Sequence, residues 1–428
     1  MRPLQRKPPR QICAAGKAVT GLAKSLNALS QGWLWLGVIL MPILAMAGGL
    51  GFQATGCVLG FSALAAWVVD RKGADYLKAA WPFWLIGFLA WACISTIWSP
   101  YEAAFWGGGA FLLVALVIPL LFAPAIVLKT PERLKPALIW TVICAGVMGV
   151  VLILMDAATG YALSLWADPV AKGEGPVRRL GDAEMNLGRG QVSYVQLLWP
   201  MAVLLILRMK RSLILVFGAF LGLALSAYLN NLSIVLPTLI LAGGLAALAW
   251  VRPSLGLVLA FSLAIASLGF APLLGLCASY VDVDWMRNLP LSWEHRLRMW
   301  DYSWQLIQQA PLFGHGFDSA RVFDDLTFRA PDGRDITVMS MHPHNIGLQI
   351  WLETGFIGVL LAVGFLAALL KAMLNICTGS APAFAVVGLV VSIAASGAAT
   401  VGVWQHWWWA LIIFTASLLC LMPENVDE

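Results

Sequence analysis

The chain has 428 residues, of which 60% are hydrophobic and 11% are charged, and its formal net charge is +5. Soluble domains carry about 25% charged residues, so this composition excludes an ordinary soluble fold. A mean hydropathy of +0.82 and 21 tryptophans are typical of a protein that crosses a membrane several times. We therefore expect a polytopic membrane protein of the all-α class.

Apolar runs of roughly 17–25 residues recur along the chain, and each is long enough to cross about 30 Å of hydrocarbon. Every backbone polar group in lipid needs an internal partner, so runs of this length predict helices rather than strands. We expect about twelve transmembrane helices, at residues 33–52, 53–69, 80–98, 105–128, 137–155, 191–207, 212–229, 232–250, 255–277, 346–370, 382–403 and 405–422.

The distribution of Lys and Arg predicts the orientation of these helices. Residues 1–32 contain six basic residues and no acidic one, so we expect a loosely ordered basic arm in the cytoplasm. Alternating from there, seventeen of the 27 basic residues lie inside and the short outer loops hold none. Both termini are therefore predicted to lie inside.

The other ten basic residues lie in two longer outer segments, residues 156–190 and 278–345. Long loops cross the membrane regardless of their charge, so these segments do not contradict the orientation. The chain then divides into the basic arm at 1–32, nine transmembrane helices at 33–277, the large outer loop at 278–345, and three helices with a short inner tail at 346–428.

The first outer loop ends in Asn-Leu-Gly-Arg-Gly, immediately before a span that is rich in polar residues. These residues are Gln191, Ser193, Tyr194 and Gln196. Polar side chains that face lipid are costly, so we expect them to face a cavity, with Arg189 at its mouth. An arginine at this depth can instead extend to lipid phosphate without any specific role.

The second outer loop contains an amphipathic helix, predicted over residues 293–309. Spacings of three and four place one apolar face on this helix, formed by Leu297, Trp300, Trp304 and Ile307. Ser292 is placed to cap its start, and Pro311 to end it. Such a helix can lie on the membrane interface, where Arg296 would reach phosphate groups at headgroup depth.

Candidate chemistry concentrates at the outer surface. All five histidines map to that side, namely His295, His315, His342, His344 and His406. The spans hold one clearly intramembrane ionisable residue, Glu353, whereas coupled transporters usually need several. A zinc site at His342 and His344 lacks a third ligand with convincing spacing, so we expect no metal.

Several short motifs together resemble the O-antigen ligase and polymerase family. The segment from His342 to Gly358 contains His344-Asn345, then nine residues, then Gly-x-x-Gly, which is similar to the family signature. Upstream elements agree in order, namely Arg296-Leu-Arg-Met-Trp300, Pro311-Leu-Phe-Gly-His-Gly316 and Ile94-Ser-Thr-Ile-Trp-Ser-Pro100. The chain departs from the family at residues 228–233, where a Ser-Arg-Gly type element is often found.

The resemblance implies a glycosyltransferase in the bacterial inner membrane, with its active site and its long loops facing the periplasm. The implied donor is a glycan on undecaprenyl pyrophosphate, and the acceptor is lipid A-core or another lipid-linked glycan. No cofactor, nucleotide sugar or nucleic acid is implied.

Roles for individual residues follow from this resemblance together with their chemistry. His344 is the expected base or acceptor-orienting group, because a neutral imidazole can accept a hydroxyl proton near pH 7. Arg189 and Arg296 are expected to bind pyrophosphate, which guanidinium groups bind bidentately. Further substrate-binding candidates are Asn345, His342, Arg298, Trp300 and Gln196, and Arg298 could replace Arg296 because spacing does not separate them.

Two alternatives remain open. A repeat-unit polymerase would share these residues, although a first outer loop of about half the length of the second favours a ligase. A transporter of a lipid-linked sugar or small anion is disfavoured by the scarcity of intramembrane charge. The tryptophans around His406 are expected to form an interfacial belt or, alternatively, to stack on sugar rings; they are Trp404, Trp407, Trp408 and Trp409.

Overall fold

The computed structural model describes residues 10–107, 109–167, 176–209, 212–331 and 333–422. Parts of the predicted basic arm, first outer loop and C-terminal tail therefore lie outside the described residues. The helices are α1 (Arg10–Met46), α2 (Gly51–Asp70), α3 (Trp81–Ser95), α4 (Ala110–Leu120), α5 (Ala123–Leu128), α6 (Lys135–Ala158), α7 (Ala162–Ala167), α8 (Pro176–Arg208), α9 (Ser212–Leu229), α10 (Val235–Val251), α11 (Pro253–Gly269), α12 (Ala271–Ser279), α13 (Val283–Met286), α14 (Leu291–Gln309), α15 (Ile346–Ile376), α16 (Ser380–Gly397) and α17 (His406–Leu418).

The fold is almost entirely helical, which confirms the predicted class. Within the described ranges, eight helices are long and apolar enough to cross a membrane, and α11 with α12 makes a ninth if this pair, bent by 52°, is one span. Shorter apolar helices occupy the other three predicted spans, namely α3, α10 and α17 with its 3₁₀ extension. The count of twelve spans therefore stays a prediction.

The start of the bundle differs from the prediction. Residues 10–32, expected to form a loose arm, are helical and continue without a break into the first span, which ends at Met46 rather than at residue 52. A turn at residues 47–50 then leads into α2. The apolar composition continues through this turn, so hydropathy alone did not reveal the boundary.

The first outer segment is also more helical than expected. Residues 176–190 belong to α8, which extends the following span by several turns. At the other side, the carboxylate of Asp156 accepts hydrogen bonds from the backbone of Leu163 and from the backbone and hydroxyl of Ser164. Asp156 therefore holds the short helix α7 against the end of α6.

The second outer segment contains the predicted amphipathic helix as α14. This helix begins at Leu291, two residues earlier than predicted, so Ser292 lies inside it and does not cap it; Pro290 occupies the capping position. A small hairpin follows, with strands β1 (Thr327–Arg329) and β2 (Asp335–Thr337) paired antiparallel. Helix α14 packs against α12 and α15, so its apolar face is covered by protein.

Candidate active site

A break in α15 forms the base of the candidate site. Gly355 has φ 63° and ψ −166°, and the turn at residues 311–316 docks into the resulting gap. There the N–H of Phe356 donates to the carbonyl of Pro311 at 2.9 Å. A Cβ atom at Gly355 would lie 2.4 Å from the carbonyl carbon of Leu312, so this position needs glycine for both space and backbone conformation.

The segment after α3 closes the other side of the same turn. The indole N–H of Trp98 donates to the carbonyl of Gly314 at 3.2 Å, and the hydroxyl of Ser99 donates to the carbonyl of Phe317 at 2.8 Å. Three motif segments that are distant in sequence, residues 94–100, 311–316 and 355–358, therefore meet at one place.

The carboxylate of Glu353 joins this turn to the connection between α16 and α17, residues 398–405. It accepts hydrogen bonds from four groups, namely the backbone N–H of Asp318 at 2.8 Å and of Ala320 at 3.3 Å, the amide of Gln349 at 3.2 Å and the indole of Trp404. Gln349 also accepts from the N–H of Val403 at 2.8 Å. These bonds replace the water that a fully buried carboxylate has lost.

His344 lies between the hairpin and the start of α15. Its Nδ1 is 2.9 Å from the carbonyl of Thr400, in the α16–α17 connection. Because a carbonyl only accepts, Nδ1 must carry the proton, and a neutral ring then leaves Nε2 as the basic nitrogen. The backbone of His344 has φ 52°, a left-handed conformation that costs non-glycine residues about 1–3 kcal/mol and is common at functional sites.

The surroundings of His344 keep its ring neutral. Burial, with smaller contributions from the charges of Arg296 and Arg189, lowers the pKa of His344 to about 4, although the carbonyl of Thr400 favours the protonated ring. The imidazole is therefore unprotonated at neutral pH and able to accept a proton. The two arginines identified in the sequence thus lie within electrostatic range of the candidate base.

Arg296 is held in place by two backbone carbonyls. Its Nε donates to Ala399 at 2.8 Å and its Nη1 to Ser292 at 2.7 Å. Burial lowers the pKa of Arg296, but a guanidinium stays charged in proteins. Across the described part of the chain its Nη2 group has no hydrogen-bond partner, so this end can bind an anion.

Arg298 has different contacts from Arg296, and these contacts distinguish the two arginines. Its Nε and Nη2 donate to one oxygen of Glu294 at 3.0 and 2.7 Å, and its guanidinium lies 4.7 Å from the ring centre of Phe328. Glu294 is 1% exposed, so Arg298 neutralises a buried charge. The structure therefore favours Arg296 over Arg298 as a ligand for pyrophosphate.

Arg189 lies in α8, half-buried, and its charge lowers the pKa of both His344 and His342. Its carbonyl accepts a hydrogen bond from Ser193 at 2.9 Å. This bond lies within α8 and involves the backbone of Arg189, not its guanidinium group. Arg189 thus lies within electrostatic range of both histidines.

The polar groups of Asn345 and Trp300 bind the backbone around His342 and His344, at residues 343, 348 and 398. Asn345 caps α15 by accepting from the N–H of Leu348 at 2.9 Å, and it donates to the carbonyl of Ala398 at 3.0 Å. Trp300 donates its indole N–H to the carbonyl of Pro343 at 3.1 Å. These contacts favour positioning roles for both residues.

The polar residues at the start of the sixth predicted span do not form the expected cavity wall. Gln191 bonds with Ser226 and Asn230, and the hydroxyl of Tyr194 donates to the carbonyl of Ala145. They join α8 to α6 and α9 inside the bundle. Gln196 is fully buried, and neither of its amide atoms has a partner within the ranges described. Because its side chain is not exposed, the structure does not support the predicted contact of Gln196 with substrate.

His342 sits beside His344 and borders a cavity of about 170 Å³. The two ring centres are 4.4 Å apart, and the Nδ1 of His342 accepts from the backbone N–H of His344 at 3.2 Å. The cavity also contacts Asp318, Arg321 and Gln405, which sequence reasoning missed because none belongs to a motif. A larger cavity of about 390 Å³, near Trp67 and Lys78, lies away from every candidate residue.

Among the residues that the structure describes, no three His, Cys, Asp or Glu side chains are grouped closely enough to hold a metal ion. His342 and His344 are adjacent, but each directs its Nδ1 to a backbone group. The arrangement instead combines a neutral base with two guanidinium groups. It can bind an anionic leaving group and accept a proton from a neighbouring hydroxyl.

The described fold and site define a multi-pass membrane protein with a charged, histidine-containing site at one end of its helical bundle. Residues 196–363 match the family model described as O-Antigen ligase. Over these residues the chain is similar to the O-antigen ligase family, which confirms the resemblance that its motifs indicated.

Curated relatives agree with this family. A protein of Rickettsia felis named "Putative polysaccharide ligase" is 28% identical over 141 residues, which are 31% of this chain and 34% of the relative. A protein of Rickettsia bellii with the same name is 30% identical over 132 residues, 30% of this chain and 32% of the relative. The chain thus spans about a third of the length of the curated relatives it matches.

Proposed function

We propose that this chain is a metal-independent glycosyltransferase that moves a glycan from undecaprenyl pyrophosphate to lipid A-core at the periplasmic face of the inner membrane. The observation that carries the proposal is the state of His344. Its Nδ1 is bound by the carbonyl of Thr400, its Nε2 is basic, and its pKa responds to the charges of both Arg296 and Arg189.

The reaction uses these groups in one displacement. A hydroxyl oxygen of the acceptor bonds to the anomeric carbon of the donor glycan while its proton passes to the Nε2 of His344. The bond between that carbon and the pyrophosphate oxygen breaks, and undecaprenyl pyrophosphate leaves with the electron pair. Arg296 and Arg189 bind the charge that grows on the leaving group, which is the largest stabilisation such a site can supply.

Donor binding would also strengthen the base. The arginine charges help to lower the pKa of His344, and a pyrophosphate bound between them would oppose their effect. A negative charge near an imidazole favours its protonated form, so the pKa of His344 rises once the donor is in place. Proton acceptance is then coupled to the presence of the correct leaving group.

The direct test is transfer by the purified protein in proteoliposomes, with undecaprenyl-pyrophosphate-linked glycan as donor and lipid A-core as acceptor. We expect glycosylated lipid A-core without any nucleotide sugar and with EDTA present. His344→Ala should lower the rate by about 10²–10⁴-fold, the usual contribution of a general base. Retention of more than half the rate in this variant, at equal membrane abundance, contradicts the proposal, and strong inhibition by EDTA would indicate a metal.

A repeat-unit polymerase is the second candidate, because the same base and arginines serve either acceptor. One observation favours the ligase: residues 176–190 are helical, which leaves the first outer loop still shorter than its sequence indicated. A polymerase must hold two undecaprenyl-linked glycans at once, which favours two substantial loops. The transporter alternative has no comparable support, since the candidate residues gather at one end of the bundle.

A further inference from the structure

The cavity of about 390 Å³ lies at the start of α3. Its walls come from the end of α2, the connection at residues 71–80, and the end of α4 with the turn that follows it. Helix α3 runs from this cavity, at Pro82 and Ile86, towards residues 94–100, which close one side of the candidate active site. The cavity and the site therefore lie at opposite ends of one apolar helix. The orientation predicted from Lys and Arg places the cavity at the cytoplasmic face.

Most of the cavity wall is apolar. Ile86 is 51% exposed on the surface of α3, so the hydrocarbon of a surrounding bilayer can reach this wall. The volume falls within the roughly 300–1,000 Å³ of typical ligand sites, and apolar walls favour a ligand that has hydrocarbon to bury. The apolar side chains that line the cavity include Trp67, Leu77, Ile86, Ile118, Leu121 and Phe122.

The basic side chains of Arg71 and Lys78 border the same cavity. The guanidinium of Arg71 lies 4.5 Å from the ring centre of Trp67, and it forms no hydrogen bond or ion pair with any residue that the structure describes. Nearby Lys129 differs, because its Nζ donates to both carboxylate oxygens of Asp70 at 3.0 and 2.9 Å. A guanidinium that lies over an aromatic ring keeps the N–H groups at its edge available, so Arg71 can bind an anion.

Lys78 has a partner, but the pair is weak. Its Nζ lies 2.6 Å from Oδ1 of Asp75, and both side chains are 81% exposed. Exposed ion pairs contribute little to stability, so an anionic ligand can share or replace this contact. Asp75 is the one acidic residue among the described residues that line the cavity, against two basic ones. The rim of the cavity therefore has a net positive charge, which favours an anion.

Tertiary contacts hold the walls of this cavity in place. The hydroxyl of Tyr76 donates to the carbonyl of Leu121 at 2.8 Å, which fixes the 3₁₀ turn at Asp75–Lys78 against the turn after α4. The ring of Trp67 packs on that of Phe122, with 4.8 Å between their centres. The cavity is therefore formed before a ligand arrives, and binding does not have to order the connection first.

We propose that this cavity binds one anionic phospholipid of the cytoplasmic leaflet, with its phosphate group at Arg71 and Lys78 and the start of its acyl chains on the apolar wall. Basic pockets between membrane helices on the cytoplasmic side suit anionic headgroups, because that leaflet is rich in them. A soluble phosphate would use the basic residues but not the apolar wall, and an uncharged lipid would use the wall alone. The inference is independent of glycosyl transfer, since the cavity lies away from the candidate active site.

The test titrates the full chain in detergent with phosphatidylglycerol, or with phosphatidylethanolamine of the same acyl chains, and counts bound lipid by native mass spectrometry. Phosphatidylglycerol should bind more tightly, and Arg71→Gln should weaken its binding about fivefold, the effect of one basic residue near an anionic membrane surface. Lys72→Gln is the matched control, because Lys72 has the same charge in the same exposed connection but does not line the cavity. Equal binding of the two lipids, or an equal loss in both variants, overturns the proposal.

A second pair of variants tests the apolar wall without changing any charge. Ile86→Trp narrows the cavity from its exposed side, and Val68→Trp is the control, at an α2 position that is 49% exposed and does not line the cavity. We expect Ile86→Trp to weaken the binding of phosphatidylglycerol and Val68→Trp to leave it unchanged. Equal binding by these two variants contradicts the proposal. If glycerol 3-phosphate displaces phosphatidylglycerol at equal concentration, the cavity recognises a soluble anion and the lipid proposal is wrong.

Discussion

His344 determines the pH range in which we expect the protein to act. Because its pKa is lowered to about 4, the neutral, basic form is present down to that pH, well below the usual range of histidine. The value of kcat/KM, which reports the free enzyme, should stay nearly constant from neutral pH to about 5 and fall only near pH 4. A fall centred near pH 6.5 would show that His344 is not the titrating base.

Substitutions of Arg296 and Arg298, which are two residues apart, should have different effects. The Nη2 group of Arg296 has no hydrogen-bond partner among the described residues, and Arg296→Ala removes it. This variant should weaken donor use by about 10- to 150-fold, as expected for charge-assisted bonds of roughly 1.5–3 kcal/mol. Arg296→Lys should restore only part of it, because a point charge lacks the guanidinium fork.

Arg298→Ala is the matched comparison, because it leaves the buried Glu294 without its partner. It should lower thermal stability in detergent while the surviving folded protein keeps its donor KM. If Arg298→Ala weakens donor use and Arg296→Ala does not, the assignment of the two arginines is reversed.

Among the secondary-structure elements, the break in α15 is the place where the motif segments 94–100, 311–316 and 355–358 meet. Gly355→Ala introduces a Cβ atom 2.4 Å from the backbone of Leu312 and places alanine at φ 63°, so the docked turn must move. We expect this variant to accumulate poorly in the membrane and to melt at a lower temperature.

Gly243→Ala in α10 serves as the control for Gly355→Ala. Nothing lies within 4 Å of its added Cβ, and alanine is favoured over glycine in a helix by up to about 1 kcal/mol. Its stability should therefore be unchanged or higher. Equal stability of the two variants would mean that the kink has no structural role.

The orientation of the whole molecule can be tested by thiol labelling. Single cysteines at Gly333, between the two strands of the β hairpin, and at Ser380, at the start of α16, are predicted to lie on opposite sides of the membrane. In a background without accessible native cysteines, an impermeant reagent on cells with a permeabilised outer membrane should label only the cysteine at 333. Equal labelling, or labelling of 380 alone, contradicts the orientation inferred from Lys and Arg.

Deletion of the gene distinguishes a ligase from a polymerase through the lipid-linked pool. Loss of a ligase should leave long glycan chains on undecaprenyl pyrophosphate and a surface lipid without glycan. Loss of a polymerase should leave single repeat units, which a separate ligase can still transfer. Surface lipid carrying one repeat unit would therefore favour the polymerase.

Local sequence was sufficient for the helices and for the position of the motifs. Apolar runs and the spacing of Leu297, Trp300, Trp304 and Ile307 predicted the bundle and α14, because hydrophobic periodicity acts over a few residues. Two boundaries differ from the prediction, because apolar composition continues across the turn at 47–50 and because residues 176–190 join α8 despite their polarity.

Only the tertiary structure decided how the candidate residues are used. The carbonyls that orient Arg296 and His344 belong to Ala399 and Thr400, 103 and 56 residues further along the chain. Backbone carbonyls carry no sequence signal, so no pattern could have assigned the basic nitrogen of His344. The pairing of Arg298 with Glu294 depends in the same way on burial, which is a property of the packed bundle and not of the residue types.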